Sequence, residues 1–160
     1  SGNAAKHYNF MLMLKEIAGI AKRRCSKEEK IYNLILKIMQ TIECDVATIF
    51  IVKEKKIVNT YSKRRNKDNW NLDDRFNFKL VNQVIEEEKG LYLVDWESMD
   101  SHNSYGLPDW KSVCIAPIIC NGELLAVIYL SISVNEKEFI CNDYNVLNFL
   151  IEIGSSIFLG

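Results

Sequence analysis

Residues 95–111 carry side chains that could contact a ligand, in a segment with the periodicity of neither a helix nor a strand. The segment reads DWESMDSHNSYGLPDWK and includes Trp96, His102, Tyr105 and Trp110. Long irregular segments within small domains are commonly lids or binding loops. His102 is the better placed of the two histidines to serve as an axial haem ligand, but a lone loop histidine is usually solvated. The residue types therefore indicate binding more than catalysis.

The cysteines are the other candidates for chemistry. They are odd in number, form no C-x-x-C pair and have no histidine beside them, which favours reduced thiols packed as small hydrophobic residues. Cys114 and Cys120 could share one strand face, but six residues at about 3.3 Å each place them roughly 20 Å apart. The sequence therefore predicts no metal site. The five are Cys25, Cys44, Cys114, Cys120 and Cys141.

The composition excludes recognition through overall charge. Twenty basic and twenty-one acidic residues leave a formal net charge of -1 over 160 residues, which offers no field to attract nucleic acid or an anionic membrane. The basic residues Lys63, Arg64, Arg65 and Lys67 lack interleaved aromatic residues and are interpreted as solvated loop charges. No apolar run reaches about 18 residues and no signal-peptide pattern is present. We expect a soluble, cytoplasmic segment without a nucleic-acid partner and without membrane insertion.

Hydrophobic periodicity predicts helices and strands along most of the chain. Ser26 with Glu29 forms a capping-box pattern, Asn77 is a candidate N-cap, and Gly90 is a candidate helix end. The predicted elements are helices near residues 10–24, 27–42, 78–89 and 142–158, and strands near residues 46–52, 57–61, 91–94, 112–119 and 124–130. Residues 1–25 are assigned to a connecting and dimerisation helix, with a possible tag remnant at residues 1–4, and residues 26–160 to one domain. Both chain ends suggest a piece of a longer protein.

The strand at residues 124–130 is apolar at every position and follows an Asn121-Gly122 hairpin turn. A strand with one exposed face alternates with period two, so an unbroken apolar run predicts that both sheet faces are covered. Pro117 within the preceding strand indicates an edge position or a bulge.

Four passages follow one another in a recognisable order. They are CDVATIFI at residues 44–51, VIEEEKGLYLVD at residues 84–95, the hairpin KSVCIAPIICNGELLAVIYL at residues 111–130, and Phe139 four residues before Asp143. Together they resemble the GAF domain, the small sensory relative of the PAS fold in bacterial signalling proteins, over residues 26–158. The resemblance implies an α+β fold with a central antiparallel sheet of about five to six strands and helices on both faces.

One part of the pattern departs from some cyclic-nucleotide-binding members of that family. Those members carry an Asn-Lys, Phe, Asp-Glu signature, which Asn135, Lys137, Phe139 and Asp143 approximate while Tyr144 replaces the glutamate. We interpret these residues as a structural clasp with a Lys137–Asp143 pair, not as a nucleotide site.

The resemblance implies a cavity between the sheet, the third helix and the irregular segment. Aromatic residues would supply contact area and Asp95 a polar anchor. The function implied is a non-catalytic module of a bacterial signalling protein that senses a small molecule, forms a homodimer and relays the ligand state to an output domain. The alternative is a ligand-free interaction module whose pocket is filled by aromatic rings. The implied pocket residues are Phe50, Tyr61, Asp95, Trp96, Tyr105, Trp110 and Ile115.

Catalysis and cofactors are not expected. One branch of the family reduces free methionine sulfoxide with cysteines on pocket loops, whereas residues 95–111 contain no cysteine. A covalent bilin would need a loop cysteine, commonly beside a histidine, which the sequence lacks. The last helix is apolar over most of its circumference, which is more than one core needs. The terminal helices are therefore predicted to form a parallel dimer bundle through Leu14, Ile17, Ile153 and Ile157.

Overall fold

The computed structural model describes residues 2–65, 76–95 and 110–160. The predicted order of helices and strands and the α+β class are confirmed in these ranges. No helix in this part of the chain is long and apolar enough to cross a bilayer. The elements are α1 (Gly2–Ile20), α2 (Lys27–Thr41), β1 (Val46–Lys53), β2 (Lys56–Arg64), α3 (Phe78–Glu87), β3 (Leu91–Asp95), β4 (Lys111–Cys120), β5 (Glu123–Ser133) and α4 (Cys141–Gly154), followed by a short 3-10 helix (Ser155–Phe158).

The described strands form one antiparallel sheet in the order β2-β1-β5-β4-β3. Helices α1, α2 and α4 pack on one face, here called the α2 face, and α3 packs on the other, the α3 face. In β5, Ala126, Ile128 and Leu130 enter the core of the α2 face, while Val127 and Tyr129 enter the core of the α3 face. The unbroken apolar run therefore reflects a central strand covered on both sides, as predicted.

Two helix N-termini have the caps that the sequence predicted. The Ser26 hydroxyl accepts a hydrogen bond from the Glu29 backbone N–H at 3.1 Å, and the Asn77 side chain accepts from the Leu80 N–H at 3.2 Å. Each bond satisfies an N–H group that has no partner within the helix.

The end of α3 differs from the prediction. The helix stops at Glu88, which adopts a left-handed conformation with φ 53°, so Gly90 is not its C-cap. A Cβ atom at Gly90 would lie 2.6 Å from the carbonyl oxygen of Ile115 and 2.6 Å from the hydroxyl of Tyr144. Gly90 is needed for this close approach between β3, β4 and α4.

The predicted clasp before α4 is confirmed. Lys137 Nζ donates to the Asp143 carboxylate at 2.9 Å, and the same carboxylate accepts from the Ile140 N–H at 2.9 Å. Asp143 therefore holds the helix start from the third position of the helix, while Ile140 is the N-cap residue. The helix was expected to continue through Phe158, but it ends at Gly154 and gives way to the 3-10 turn.

The β4–β5 hairpin has the predicted two-residue turn, with positive φ angles of 54° at Asn121 and 78° at Gly122. Pro117 pairs with Val127 of β5 and lies beyond Ile115, the last residue of β4 that pairs with β3. The proline thus occupies a stretch of β4 with one strand neighbour among the described residues, close to a register shift between Ile118 and Ile119.

Candidate functional site

The α3 face of the sheet changes from apolar to polar along its strands. One end is packed by α3 through Val52, Ile115 and Val127. At the other end, the strand register places Thr48 opposite Tyr129, Val113 opposite Ser131 and Asp95 opposite Lys111. Buried polar side chains are uncommon unless they are paired or functional. The buried polar side chains at this end of the face are all at most 9% exposed, and they are Thr48, Asn77, Asp95, Lys111 and Ser131.

Asn77 joins three elements at this polar end. Its Nδ2 donates to the Asp95 carboxylate at 3.0 Å, and its backbone N–H donates to the Tyr129 hydroxyl at 3.2 Å. The same side chain caps α3. Asn77, Asp95 and the Tyr129 hydroxyl, here called the polar hub, thus link the start of α3 to the end of β3 and the middle of β5.

Hydroxyl groups and a second charge lie beside the hub. Thr48 Oγ1 and Ser62 Oγ are 2.7 Å apart, which joins β1 to β2 on this face. Lys111 is directly opposite Asp95 in the β3–β4 register, and both are buried. Burying an ionised side chain costs several kcal/mol unless partners compensate it. The polar end therefore offers acceptors, donors and both signs of charge within a small area.

Aromatic rings form the boundary between the polar and apolar ends. The Phe50 ring lies 5.2 Å from Phe76, 5.7 Å from Phe78 and 6.5 Å from Tyr129, measured between centroids. Phe76 and Tyr129 meet edge to face at 5.4 Å. Such pairs stabilise the core beyond their buried area, by about 0.5–1.5 kcal/mol each. The rings give this face an apolar wall next to the hydrogen-bonding hub.

Three of the predicted pocket residues share the α3 face, namely Phe50, Asp95 and Ile115. Trp96 and Tyr105 lie outside the described residues. Asn77 and Tyr129 were not predicted as site residues. Asn77 was interpreted only as a helix cap, and the one signal for Tyr129 was its hydroxyl within an otherwise apolar run.

The other two predicted pocket residues in the described ranges differ from these three. Tyr61 packs edge to face against Tyr32 of α2, with ring centroids 5.6 Å apart, so it belongs to the α2 face and its assignment to the pocket is wrong. Trp110 is 40% exposed just before β4, and its ring contacts none of the other described aromatic rings. Its carbonyl accepts from the Val134 N–H at 3.1 Å.

The four predicted dimer residues comprise two that are buried and two that are partly exposed. Ile17 and Ile157 are 1% and 4% exposed within the core of the α2 face, so their assignment to a surface between two chains is wrong. Their side chains fill the space between α1, α2 and the end of α4. Leu14 and Ile153 remain partly exposed.

None of the five cysteines lies in the core of the α3 face. Cys44 and Cys114 are in the core of the α2 face, where burial raises the pKa of each thiol to about 12. Cys25 and Cys120 are partly exposed and Cys141 is exposed at the start of α4. All five are free thiols. No group of three or more His, Cys, Asp and Glu residues in the described ranges is arranged to hold a metal ion.

No protein-family model and no curated protein matches the chain. Solved structures do match it. The A. aeolicus nlh2 GAF domain in an inactive state superposes with a TM-score of 0.63 at 18% identity, covering 95% of this chain and 96% of that one. This chain has the GAF fold. The GAF domain from an Acinetobacter phosphoenolpyruvate-protein phosphotransferase is similar at 16% identity and a TM-score of 0.61, over 92% of this chain and 91% of that one.

An enzyme shares the fold. Free methionine-R-sulfoxide reductase from Neisseria meningitidis, solved with its substrate, has a TM-score of 0.64 at 13% identity over 93% of this chain and 87% of that one. The GAF fold is thus common to signalling domains and to a reductase, and at these identities the likeness concerns the fold alone. The side chains must decide between binding and catalysis.

Proposed function

We propose that this chain is a non-catalytic module of a bacterial signalling protein that binds a small molecule at the polar end of the α3 face and relays its presence through a homodimer. The supporting observation is the polar hub, because a hydrogen-bonded carboxylate buried in a domain core contributes more readily to recognition than to stability. The ligand class that suits it has an apolar body for the aromatic wall and a polar end for Asp95 and its neighbours.

The position of the hub supports the proposed relay. A ligand that exchanges a hydrogen bond with Asp95 alters the Asn77 contacts that fix the start of α3 against β5. Strand β5 presents its other side to the core of the α2 face, where α1 and α4 pack. A ligand with different affinities for two arrangements of these elements would shift their populations and so bias an attached output domain.

A thermal-shift screen of nucleotides and metabolites, followed by native mass spectrometry, tests the proposal. A ligand present at 100 times its Kd adds about 2.7 kcal/mol to the free energy of unfolding, which is a shift of several degrees. We expect Asp95→Asn to abolish the shift, because it removes the charge while keeping the shape. Glu123→Gln, on the exposed β4–β5 hairpin, is the matched control and should respond as the wild type does. An equal response from both variants would refute binding at the hub.

A second candidate is a ligand-free interaction module, and the contacts among Phe50, Phe76, Phe78 and Tyr129 favour it because rings in mutual contact fill space. Under this alternative no compound shifts the wild-type melting temperature, while Phe50→Ala opens a site. Small apolar molecules such as benzene should then stabilise that variant alone.

We do not propose reductase activity for this chain. The buried thiols of Cys44 and Cys114 face away from the polar hub, across the sheet, and are held in the unreactive protonated form. A turnover assay with free methionine-R-sulfoxide and dithiothreitol should show no reduction above the rate without protein. Turnover that is lost on substituting a cysteine would overturn this assignment.

The dimer is proposed to form through exposed apolar residues of the terminal helices. Tyr8, Met11 and Leu12 of α1 lie on one helical stripe and are 68%, 53% and 43% exposed, and Phe149 of α4 is 49% exposed. Leu14 and Ile153 are partly exposed on the same two helices, and the rings of Phe10 and Phe149 lie 6.5 Å apart.

Sedimentation equilibrium tests the dimer. We expect the wild type to associate, and Leu12→Asp combined with Phe149→Asp to be monomeric with unchanged circular dichroism. Val58→Asp, at a site that is 58% exposed on β2, is the matched control for adding a charge to an apolar surface residue. A monomeric wild type would remove the dimer from the proposal.

A further inference from the structure

A concave region lies on the α2 face, away from the polar hub. It is a groove of about 510 Å³ between the C-terminal end of α2 and the end of β2. Small-molecule sites typically occupy roughly 300–1,000 Å³. We propose that this groove binds a small organic anion with an aliphatic body, such as a medium-chain carboxylate.

The floor of the groove is apolar. Leu36 and Met39 of α2 line it together with Cys44, whose side chain is 2% exposed. Leu36 is 38% exposed although it lies on a helix that packs most of its leucine and isoleucine side chains into the core. Covering such a side chain contributes roughly 25 cal/mol for each Å² of apolar surface removed from water. An aliphatic chain is a suitable occupant for this floor.

The rim of the groove carries positive charge. Lys63, Arg64 and Arg65 line it, against the single carboxylate of Glu43. Arg65 is occupied, because its guanidinium contacts Glu43, Asp45 and Glu136. The groove is therefore cationic on the side formed by β2, which sets the sign of charge that a ligand head group should have.

Lys63 is the cation best placed to receive that head group. It lies two residues after Tyr61 on β2, and Tyr61 packs on Tyr32 of α2, so the alternation of the strand turns Lys63 toward the α2 face. In the described part of the chain, no carboxylate pairs with Lys63. The exposed Gln40 amide on the last turn of α2 adds a neutral donor to the same groove. A carboxylate is a strong acceptor for both groups.

This site is distinct from the proposed sensory pocket. The groove belongs to the α2 face, whereas the polar hub belongs to the α3 face, and the sheet separates them. The inference therefore holds or fails independently of the proposed function.

Titration with decanoate, followed by ¹H–¹⁵N correlation spectra, tests the proposal. We expect saturable shifts at the amides of Leu36, Gln40 and Lys63 and none at Val113 or Tyr129, which lie on the α3 face. Decanol, which has the same chain without the charge, should bind about tenfold more weakly because a charge-assisted hydrogen bond is lost.

Two pairs of variants make the test specific. Lys63→Glu should raise the Kd for decanoate by about tenfold or more. Lys56→Glu, at the opposite end of the same strand, should leave it within about twofold, as expected for a distant charge screened by salt. Leu36→Ser should weaken binding, because Leu36 lines the groove. Val58→Ser should not, and it is a matched control because Val58 is also an exposed apolar residue. Equal effects of Lys63→Glu and Lys56→Glu, shifts confined to the α3 face, or no saturation would each overturn the proposal.

Discussion

Replacing Gly90 with alanine tests the contact that brings β3, β4 and α4 together. The added Cβ would lie 2.6 Å from the Ile115 carbonyl oxygen, 2.6 Å from the Tyr144 hydroxyl and 2.7 Å from Cε1 of the same ring. Favourable separations between non-bonded carbon atoms are about 3.5–4.0 Å. The backbone or the ring must therefore move by roughly 1 Å to accommodate the methyl group.

The expected cost follows from which atoms can move. Tyr144 can rotate, but the Ile115 carbonyl belongs to β4, and Ile115 pairs with Leu91, the residue after Gly90. Overpacking of this kind costs about 1–3 kcal/mol, and loss of one ladder hydrogen bond adds about 1 kcal/mol. We therefore expect Gly90→Ala to lower the free energy of unfolding by roughly 2–4 kcal/mol.

Urea denaturation followed by circular dichroism gives the measurement, with the shift in midpoint read at constant m-value. The control is Gly19→Ala, where a Cβ meets nothing within 4 Å and the residue is helical. That change should stabilise the protein by up to about 1 kcal/mol. Gly90→Ala should still lower the stability in a Tyr144→Ala background, though by less than in the wild type, since the carbonyl contact remains. A Gly90→Ala variant as stable as the wild type would refute the reasoning.

Other predictions concern the polar hub and the buried thiols. Tyr129→Phe should destabilise the fold by about 1–3 kcal/mol in urea denaturation, because the Asn77 N–H loses its buried acceptor. Above pH 9 the free energy of unfolding should fall with pH, because the raised pKa values of Cys44 and Cys114 give stability that is present below 9 and is lost toward about 12. The decrease should approach roughly 1.4 kcal/mol per pH unit for each thiol, measured by urea denaturation at increasing pH. At pH 8 a maleimide should label the exposed Cys141 in the folded protein and leave the two buried thiols unmodified until urea is added.

The sequence predicted the parts of the fold that depend on local periodicity and local turn chemistry. The Ser26 cap, the Asn121-Gly122 turn and the coverage of β5 on both faces all rest on short-range patterns. The same local rules gave Gly90 as a helix end. They missed its actual role, because the close approach to Tyr144 joins residues far apart in the sequence. A local sequence pattern does not predict the spatial distance between residues that are far apart in the chain.

The candidate site was only partly predictable for a related reason. Asn77 is recognisable as a cap from its neighbours, but its bonds to Asp95 and Tyr129 depend on how α3 lies over the sheet. The prediction for Ile17 as a dimer residue failed for a similar reason. A helical stripe shows that Ile17 is apolar, and only the packing of α1 on α4 shows that it is buried within its own chain.

The position of Tyr61 on the α2 face reflects an irregularity in the β1–β2 pairing. Residue spacing places Ile57 and Tyr61 on one face of a regular strand, since they are four positions apart. The β1–β2 register shifts between Ile51 and Val52, so that Ile57 pairs with Val52 and packs on the α3 face, while Tyr61 pairs with Ile49 and packs on the α2 face. Because a bulge adds one residue to a strand, the residues beyond it lie on the opposite face from the one that regular alternation would give them. It therefore also directs Lys63 to the α2 face, where the anion groove lies. Deleting Val58, the residue of β2 that has no partner on β1, should make the strand regular while Lys63 stays opposite Ala47 on the α2 face. Decanoate binding should therefore be retained in this variant, and its loss would contradict the assignment of Lys63 to the groove.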